Sequence, residues 1–174
     1  MTIFIHKILA CSNVNGTGKR SVVWTQGCSL NCKGCFNKST HDFIANKGYE
    51  TKMLAREVAD FKQNGLTISG GEPLDQAESL LDFIMAFREI SSSTILLFTG
   101  YTLDEIKSDD KKIRVIKNVD GVISGRYIEG KIWEGKNLLI ISGRISPEDL
   151  KPLSQIEFIS DNNENILTGY PELL

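Results

Sequence analysis

Four short β-branched runs, each closed by a glycine-marked turn, alternate with amphipathic segments as far as Gly125, and this alternation constrains the fold more than any other feature of the chain. Ser21 to Thr25 predicts a strand running into a cysteine-containing loop. Leu54, Val58 and Phe61 recur at helical spacing between Thr51 and Asn64, with Gly65 placed as a helix stop. Leu66 to Ser69 predicts a strand ending in Gly70-Gly71-Glu72-Pro73, followed by a helix marked by Ala77, Leu80, Leu81, Ile84, Phe87 and Ile90. Thr94 to Phe98 predicts a strand closed by Thr99-Gly100-Tyr101-Thr102. A short helix over Leu103 to Lys107 follows, its first turn favoured by Asp104 and Glu105, and then a strand over Val119 to Ser124. Strand, helix, strand, helix at this spacing means parallel βα units with right-handed crossovers, an α/β fold. Ligands in such sheets lie at the carboxyl ends of the strands, so the four turns are expected to ring one site. Leu138 to Ile141 and Ile156 to Ile159 add strand material, and with no repeat or linker the reading is a single domain over residues 1–174.

With 174 residues the chain can hide roughly 70% of its unfolded surface and needs no disulfide or metal merely to fold. A net charge of −2 without a basic block removes the electrostatic case for nucleic-acid binding. The apolar runs fall far short of the ~20 residues that span a bilayer. Met1 to Lys7 lacks the features of a secretory signal, so the expected location is the cytoplasm, with neither nucleic acid nor membrane as partner. In a reducing compartment clustered thiols point to metal or redox work.

Cys28, Cys32 and Cys35 stand in the spacing C-x3-C-x2-C. Three thiolates can hold a [4Fe-4S] cube and leave the fourth iron open to a ligand. Zinc wants a fourth ligand, for which Cys11 or His41 are the candidates. Cys32-Lys33-Gly34-Cys35 alone would suit a dithiol pair but leaves Cys28 unexplained. At Gly70-Gly71 the backbone can approach a ligand closely and offer carbonyls to a cationic amine, with Glu72 adding negative charge. Asn15 to Arg20 fails the phosphate-loop test, having Asn13 and Arg20 where that motif needs Gly and Ser or Thr; it reads as a turn that positions Arg20 or Lys19 near a carboxylate or partner. No serine nucleophile motif accompanies His6 or His41, and His41 reads as a surface or core residue. Trp133 reads as core or as a partner-facing anchor.

Gly27-Cys28-x3-Cys32-x-Gly34-Cys35-x-Asn37-x2-Thr40, then Ser69-Gly70-Gly71-Glu72-Pro73-Leu74, Thr99-Gly100-Tyr101 and Val119-Asp120-Gly121, together resemble the radical S-adenosylmethionine enzymes. Within them the likeness is to the anaerobic ribonucleotide reductase activating subgroup, in the correct order over about residues 8–130, with residues 131–174 as an extension. The resemblance implies a shortened, open (β/α) partial barrel, consistent with a chain below the ~250 residues of a closed (β/α)8 barrel. It implies one [4Fe-4S] cluster on Cys28, Cys32 and Cys35, with S-adenosylmethionine contacted by Gly34, Phe36, Ser69, Gly70, Gly71 and Glu72. Reductive cleavage of that cofactor would yield a 5'-deoxyadenosyl radical able to take hydrogen from a glycine of a large ribonucleotide reductase-like partner. The electron donor implied is a flavodoxin or ferredoxin. No catalytic side chain is implied beyond the cluster-bound cofactor. Two stretches depart from the subgroup. Trp133-Glu134-Gly135-Lys136-Asn137-Leu138 replaces its Gly-Ser-Ser-Asn-Gln segment, and the tail from Ser142 to Leu174 runs past its usual end. The alternatives are a radical enzyme modifying another protein, peptide or small molecule, and a zinc-stabilised binding module.

Overall fold

A computed structural model describes residues 1–43, 48–131, 133–150, 156–161 and 164–169. Parts of the expected extension, 151–155, 162–163 and 170–174, lie outside the described residues.

Seven strands form one sheet in the order β3-β1-β2-β4-β5-β6-β7. Its centre is the four parallel strands predicted from the turns: β2 (Arg20–Thr25), β4 (Gly65–Gly70), β5 (Thr94–Thr99) and β6 (Gly121–Ser124). Near-continuous burial along β2, β4 and β6 is what a sheet covered on both faces requires. The flanks are antiparallel: β1 (Thr2–Ser12) on β2, the three-residue β3 (Gly48–Glu50) on β1, and β7 (Asn137–Ile140) on β6.

Helices α1 (Thr51–Asp60), α2 (Ala77–Ile90) and α4 (Asp110–Ile116) cover one face, where Leu54, Val58, Leu80, Phe83, Ile84, Phe87 and Val115 pack on Ile3, Val23, Leu66, Ile68, Ile95, Leu97 and Val122. Alternate residues of the same strands face the other way, where Leu9 and Val22 join Trp24, and Leu96 and Ile123 join Phe98 and Trp133. A separate antiparallel hairpin, β8 (Ile156–Asp161) with β9 (Glu164–Gly169), lies on this second face through Ile159 and Ile166. The short α3 (Leu103–Lys107) is closed at its start by a capping box of Thr102 and Glu105, as the acidic first turn suggested.

Strand ends move by a residue or two, as where β6 opens at Gly121 and not at Val119, and one glycine has another role than expected. Gly65 does not stop α1; the helix ends at Asp60, Lys62 takes φ 54°, and Gly65 opens β4. A Cβ there would lie 2.1 Å from the Arg20 guanidinium, so close packing explains this glycine, not helix termination. Among the described residues no helix is long and apolar enough to cross a membrane.

Candidate metal and cofactor site

The turns after β2, β4 and β5 meet at the carboxyl edge of the sheet, which is where βα topology must bring them. The cysteine loop leaves β2 at Gln26 and is closed on itself: Gly27 N–H donates to Thr40 O at 2.7 Å and Cys28 N–H to His41 O at 3.0 Å. The Gln26 side chain donates to Asp42 O at 2.8 Å from within the closure. Between Cys28 and Cys32 the chain reverses at Asn31, whose φ of 44° suits the residue type that best tolerates the left-handed region.

The turn after β4 is locked to this loop. Gly71 N–H donates to Thr25 O at 2.9 Å and Glu72 N–H to Gly27 O at 2.8 Å. A Cβ on Gly71 would fall 2.2 Å from Gly27 O, so only glycine lets these two backbones meet. Asp75 then reaches the cysteine loop, accepting from Ser29 N–H at 2.7 Å and Ser29 Oγ at 2.9 Å, and also from the Tyr101 hydroxyl at 2.7 Å. Asp75 and Gln26 are supports that motif reading did not single out, because neither lies in a spacing that carries chemistry.

Glu72, which lines the cleft, has a further role that its sequence position did not suggest. It is fully buried, and its carboxylate accepts from Thr99 Oγ1 at 2.7 Å, Leu74 N–H at 2.9 Å and Gly100 N–H at 2.7 Å. Burial pushes its carboxyl up to about 7, against the lowering effect of the three donors. The side chain thus joins the β4 and β5 turns.

One cleft is lined by Cys28, Cys32 and Cys35 on one side and Ser69, Gly70, Gly71 and Glu72 on the other. Phe36, Phe98, Ile123, Tyr127 and Trp133 supply apolar walls, the Phe36 and Tyr127 rings meeting edge to face at 5.6 Å. Gly34 is not among the lining residues; its Cα faces the Glu129 side chain, 2.4 Å from where a Cβ would stand. Lys136 lines the same cleft and donates its ammonium to Gly125 O. Burial lowers its affinity for a proton, while Cys32, Glu72 and Cys35 act to restore it. Sequence reading noted Lys136 only as part of a departing stretch. Burial likewise raises the Cys28 and Cys35 thiols.

Cys11 stands apart. On β1 it precedes Ser12, which pairs with Arg20 at the start of β2, whereas Ile5 pairs with Thr25 beside the cleft. The Asn15 to Arg20 turn shares that remote end, and Arg20, expected near a carboxylate or partner, is buried there with the Asp149 and Asp120 carboxylates acting on its charge. Its guanidinium donates to Thr67 Oγ1 at 2.8 Å, Leu66 O at 2.8 Å and Thr94 O at 3.0 Å. Arg20 is thus a cross-strand tie at the opposite end from the cleft.

The donor set suits a cluster. Three thiols line one cleft, the number with which a [4Fe-4S] cluster can be held while its fourth iron stays open to a ligand.

The family described as a 4Fe-4S single cluster domain matches residues 14–140. A protein of Pasteurella multocida named anaerobic ribonucleoside-triphosphate reductase-activating protein is 33% identical over 141 residues, covering 74% of this chain and 89% of its own. The chain belongs to this activating-protein family. The protein of that name from Enterobacteria phage T4 is 32% identical over 75% of this chain and 88% of its own, and that of Escherichia coli K12 is 26% identical over 78% and 96%. Membership accounts for the three-thiol loop, since the matched span contains the whole cysteine loop and all four parallel strands.

Proposed function

We propose that this chain is a radical S-adenosylmethionine enzyme that activates an anaerobic ribonucleoside-triphosphate reductase by leaving a radical on one of its glycines. The observation that carries the reading is the shared cleft: three thiols line it together with the Ser69-Gly70-Gly71 turn, inside a chain of the activating-protein family. A reduced cluster held there would supply the electron for reductive cleavage of S-adenosylmethionine, and so the radical chemistry by which hydrogen is taken from a glycine.

The protein's own contribution is placement. Cys28, Cys32 and Cys35 hold the cluster. Ser69, Gly70 and Gly71 present backbone to the cofactor's ammonium group, with Phe36 against its apolar part. Gly34 keeps the loop turn tight between two ligands, at φ 70°. Lys136, the one lysine among the lining residues, pairs with the cofactor's carboxylate. The apolar wall of Phe98, Ile123 and Trp133 excludes water from a radical that water-borne groups would quench. The sheet is the open partial barrel of that superfamily, its substrate is a macromolecule, and a small flavodoxin or ferredoxin delivers the electron. Neither nucleic acid nor membrane takes part, and the setting is the cytoplasm.

Anaerobic reconstitution tests this directly. Cys32→Ala should lose iron-sulfur absorption and S-adenosylmethionine cleavage, while Cys11→Ala keeps both. Equal loss in the two variants, or tight binding of a single zinc without visible absorption, refutes the assignment. Incubation of the loaded wild-type enzyme with the cognate reductase should leave a glycyl radical detectable by EPR.

A further inference from the structure

The family match ends at residue 140, and the β8–β9 hairpin lies beyond it. The match to the Pasteurella protein takes in 74% of this chain while covering 89% of that protein's length. Yet the hairpin is held in a defined place. The Glu157 carboxylate accepts from Ser12 Oγ at 2.9 Å, Asn13 N–H at 3.1 Å and the Asn13 amide at 2.9 Å. The Asn15 amide donates to Thr168 Oγ1 at 2.9 Å, and Ile159 and Ile166 pack on Leu9, Val22 and Trp24.

Alternation along the two strands then decides what faces outward. Ile159 pairs with Ile166 on the inner face, so Phe158 and its partner Leu167 point away from the sheet, as does Ile156. They are 68%, 65% and 55% exposed, three large apolar side chains on one side of a two-stranded ribbon. Such a surface is characteristic of a face that another molecule covers.

The second feature is the edge of β9. Among the described strands β9 pairs only with β8. Its consecutive residues Asn165 to Gly169 wall a hollow of about 500 Å³, with Phe36, Asn37, Ser39 and Thr40 opposite. Phe36, Asn37 and Ser69 line both this hollow and the cleft of the three cysteines, so the one opens onto the other. No Asp or Glu lines the hollow.

We propose that the β8–β9 hairpin is this chain's docking surface for its protein substrate, with the glycine-bearing segment of the partner laid as an extended strand along the edge of β9 and the apolar outer face of the hairpin buried against the partner. The inference rests on the activating reading above. A glycine offers no side chain to grip, so at that residue only the backbone can be recognised. An edge strand supplies N–H and C=O groups at the spacing an extended backbone needs. The groove carries one lysine, Lys7, and no carboxylate, and with the chain's net charge of −2 this matches a docking step driven mainly by shape and apolar contact. The hairpin lies outside the matched 4Fe-4S domain of residues 14–140, so it can select the partner without holding the cluster.

The test uses the full chain, reconstituted anaerobically, with the cognate reductase. The double variant Ile156→Asp, Leu167→Asp changes two exposed positions, so S-adenosylmethionine cleavage without the partner should stay within about twofold of wild type. The reductase concentration giving half-maximal glycyl radical should rise by about tenfold or more, with the rate at saturation unchanged. In the wild-type chain, amide hydrogen exchange over residues 156–169 should slow when reductase is added. An unchanged half-maximal concentration, an unprotected hairpin, or an equal loss of partner-free cleavage, which would mark a purely structural role, each overturns the proposal. Failure of the activating reading itself looks different: the wild-type chain would cleave S-adenosylmethionine yet leave no glycyl radical at any reductase concentration, and the docking proposal would fall with it.

Discussion

The Thr99 hydroxyl donates to the buried Glu72 carboxylate at 2.7 Å, tying the end of β5 to the turn after β4 across 27 residues of sequence. Gly100 N–H adds a second bond to the same carboxylate at 2.7 Å. The two turns that face the cysteine loop are therefore one rigid body, and the geometry of the cleft depends on a side chain that carries none of the chemistry.

Glu72 should leave a mark on the pH dependence of stability. Its carboxyl is raised by burial from 4.5 to about 7. Across that window the folded chain keeps a proton that the unfolded chain has released. Its contribution therefore favours the fold at low pH and fades as pH rises, by about 3 kcal/mol over the whole window. Denaturant titrations of the cluster-free chain should show this slope between pH 5 and pH 7 as an order-of-magnitude effect, and Glu72→Gln should flatten it. An unaltered slope in the variant would show that another group is responsible.

Arg20→Leu should destabilise the chain by roughly 3 kcal/mol, because Leu66 O and Thr94 O would lose a buried charged donor. Arg20→Lys should recover only part of this, since one ammonium cannot reproduce the planar fork. The remote position of Arg20 predicts that cofactor affinity stays normal in whatever fraction folds. A loss under about 1 kcal/mol in Arg20→Leu would mean the carbonyls find water.

Gly71→Ala should break the contact between the β4 turn and the cysteine loop, since the new Cβ would stand 2.2 Å from Gly27 O and 2.8 Å from Thr40 O, both backbone atoms. Iron bound per chain after reconstitution is the readout, and it should fall sharply. Gly143→Ala is the control, with no atom within 4 Å of the added carbon. Full iron content in Gly71→Ala would show that the loop can shift at little cost.

Lys136→Met tests the assignment of the cofactor's carboxylate. Loss of one charge-assisted hydrogen bond should weaken S-adenosylmethionine binding by roughly tenfold. Decarboxylated S-adenosylmethionine, which lacks that group, should bind both proteins alike in calorimetry. Equal weakening for the two ligands would place Lys136 elsewhere in the site.

Much of the fold was legible along the chain. α2 spans Ala77–Ile90 and α3 Leu103–Lys107, as the apolar spacing and the acidic first turn required. The long β1 was not read, and its burial explains why: two irregularities in its pairing, between Ile5 and Lys7 and between Leu9 and Ser12, break the period of two on which strand recognition depends. α4 escaped because its seven residues carry a single fully buried side chain, Val115, too little to mark a periodic face. Gly65 misled because a glycine after a helical pattern stops a helix far more often than it makes room for a guanidinium.

By itself the sequence determined what is local: which runs extend, where each parallel strand must turn, and that three thiols within eight residues stand on one loop at such a turn. Backbone sterics and short-range spacing decide those matters, and both are written in neighbouring residues. Tertiary structure alone decided the rest. It made Glu72 a buried brace at the cleft, set Arg20 as a cross-strand tie at the far end of the sheet, brought Lys136 into the cleft, and set the hairpin beside the cysteine loop. Each of these depends on contacts between residues tens of positions apart, and only closure of the sheet specifies which of many possible partners a side chain meets.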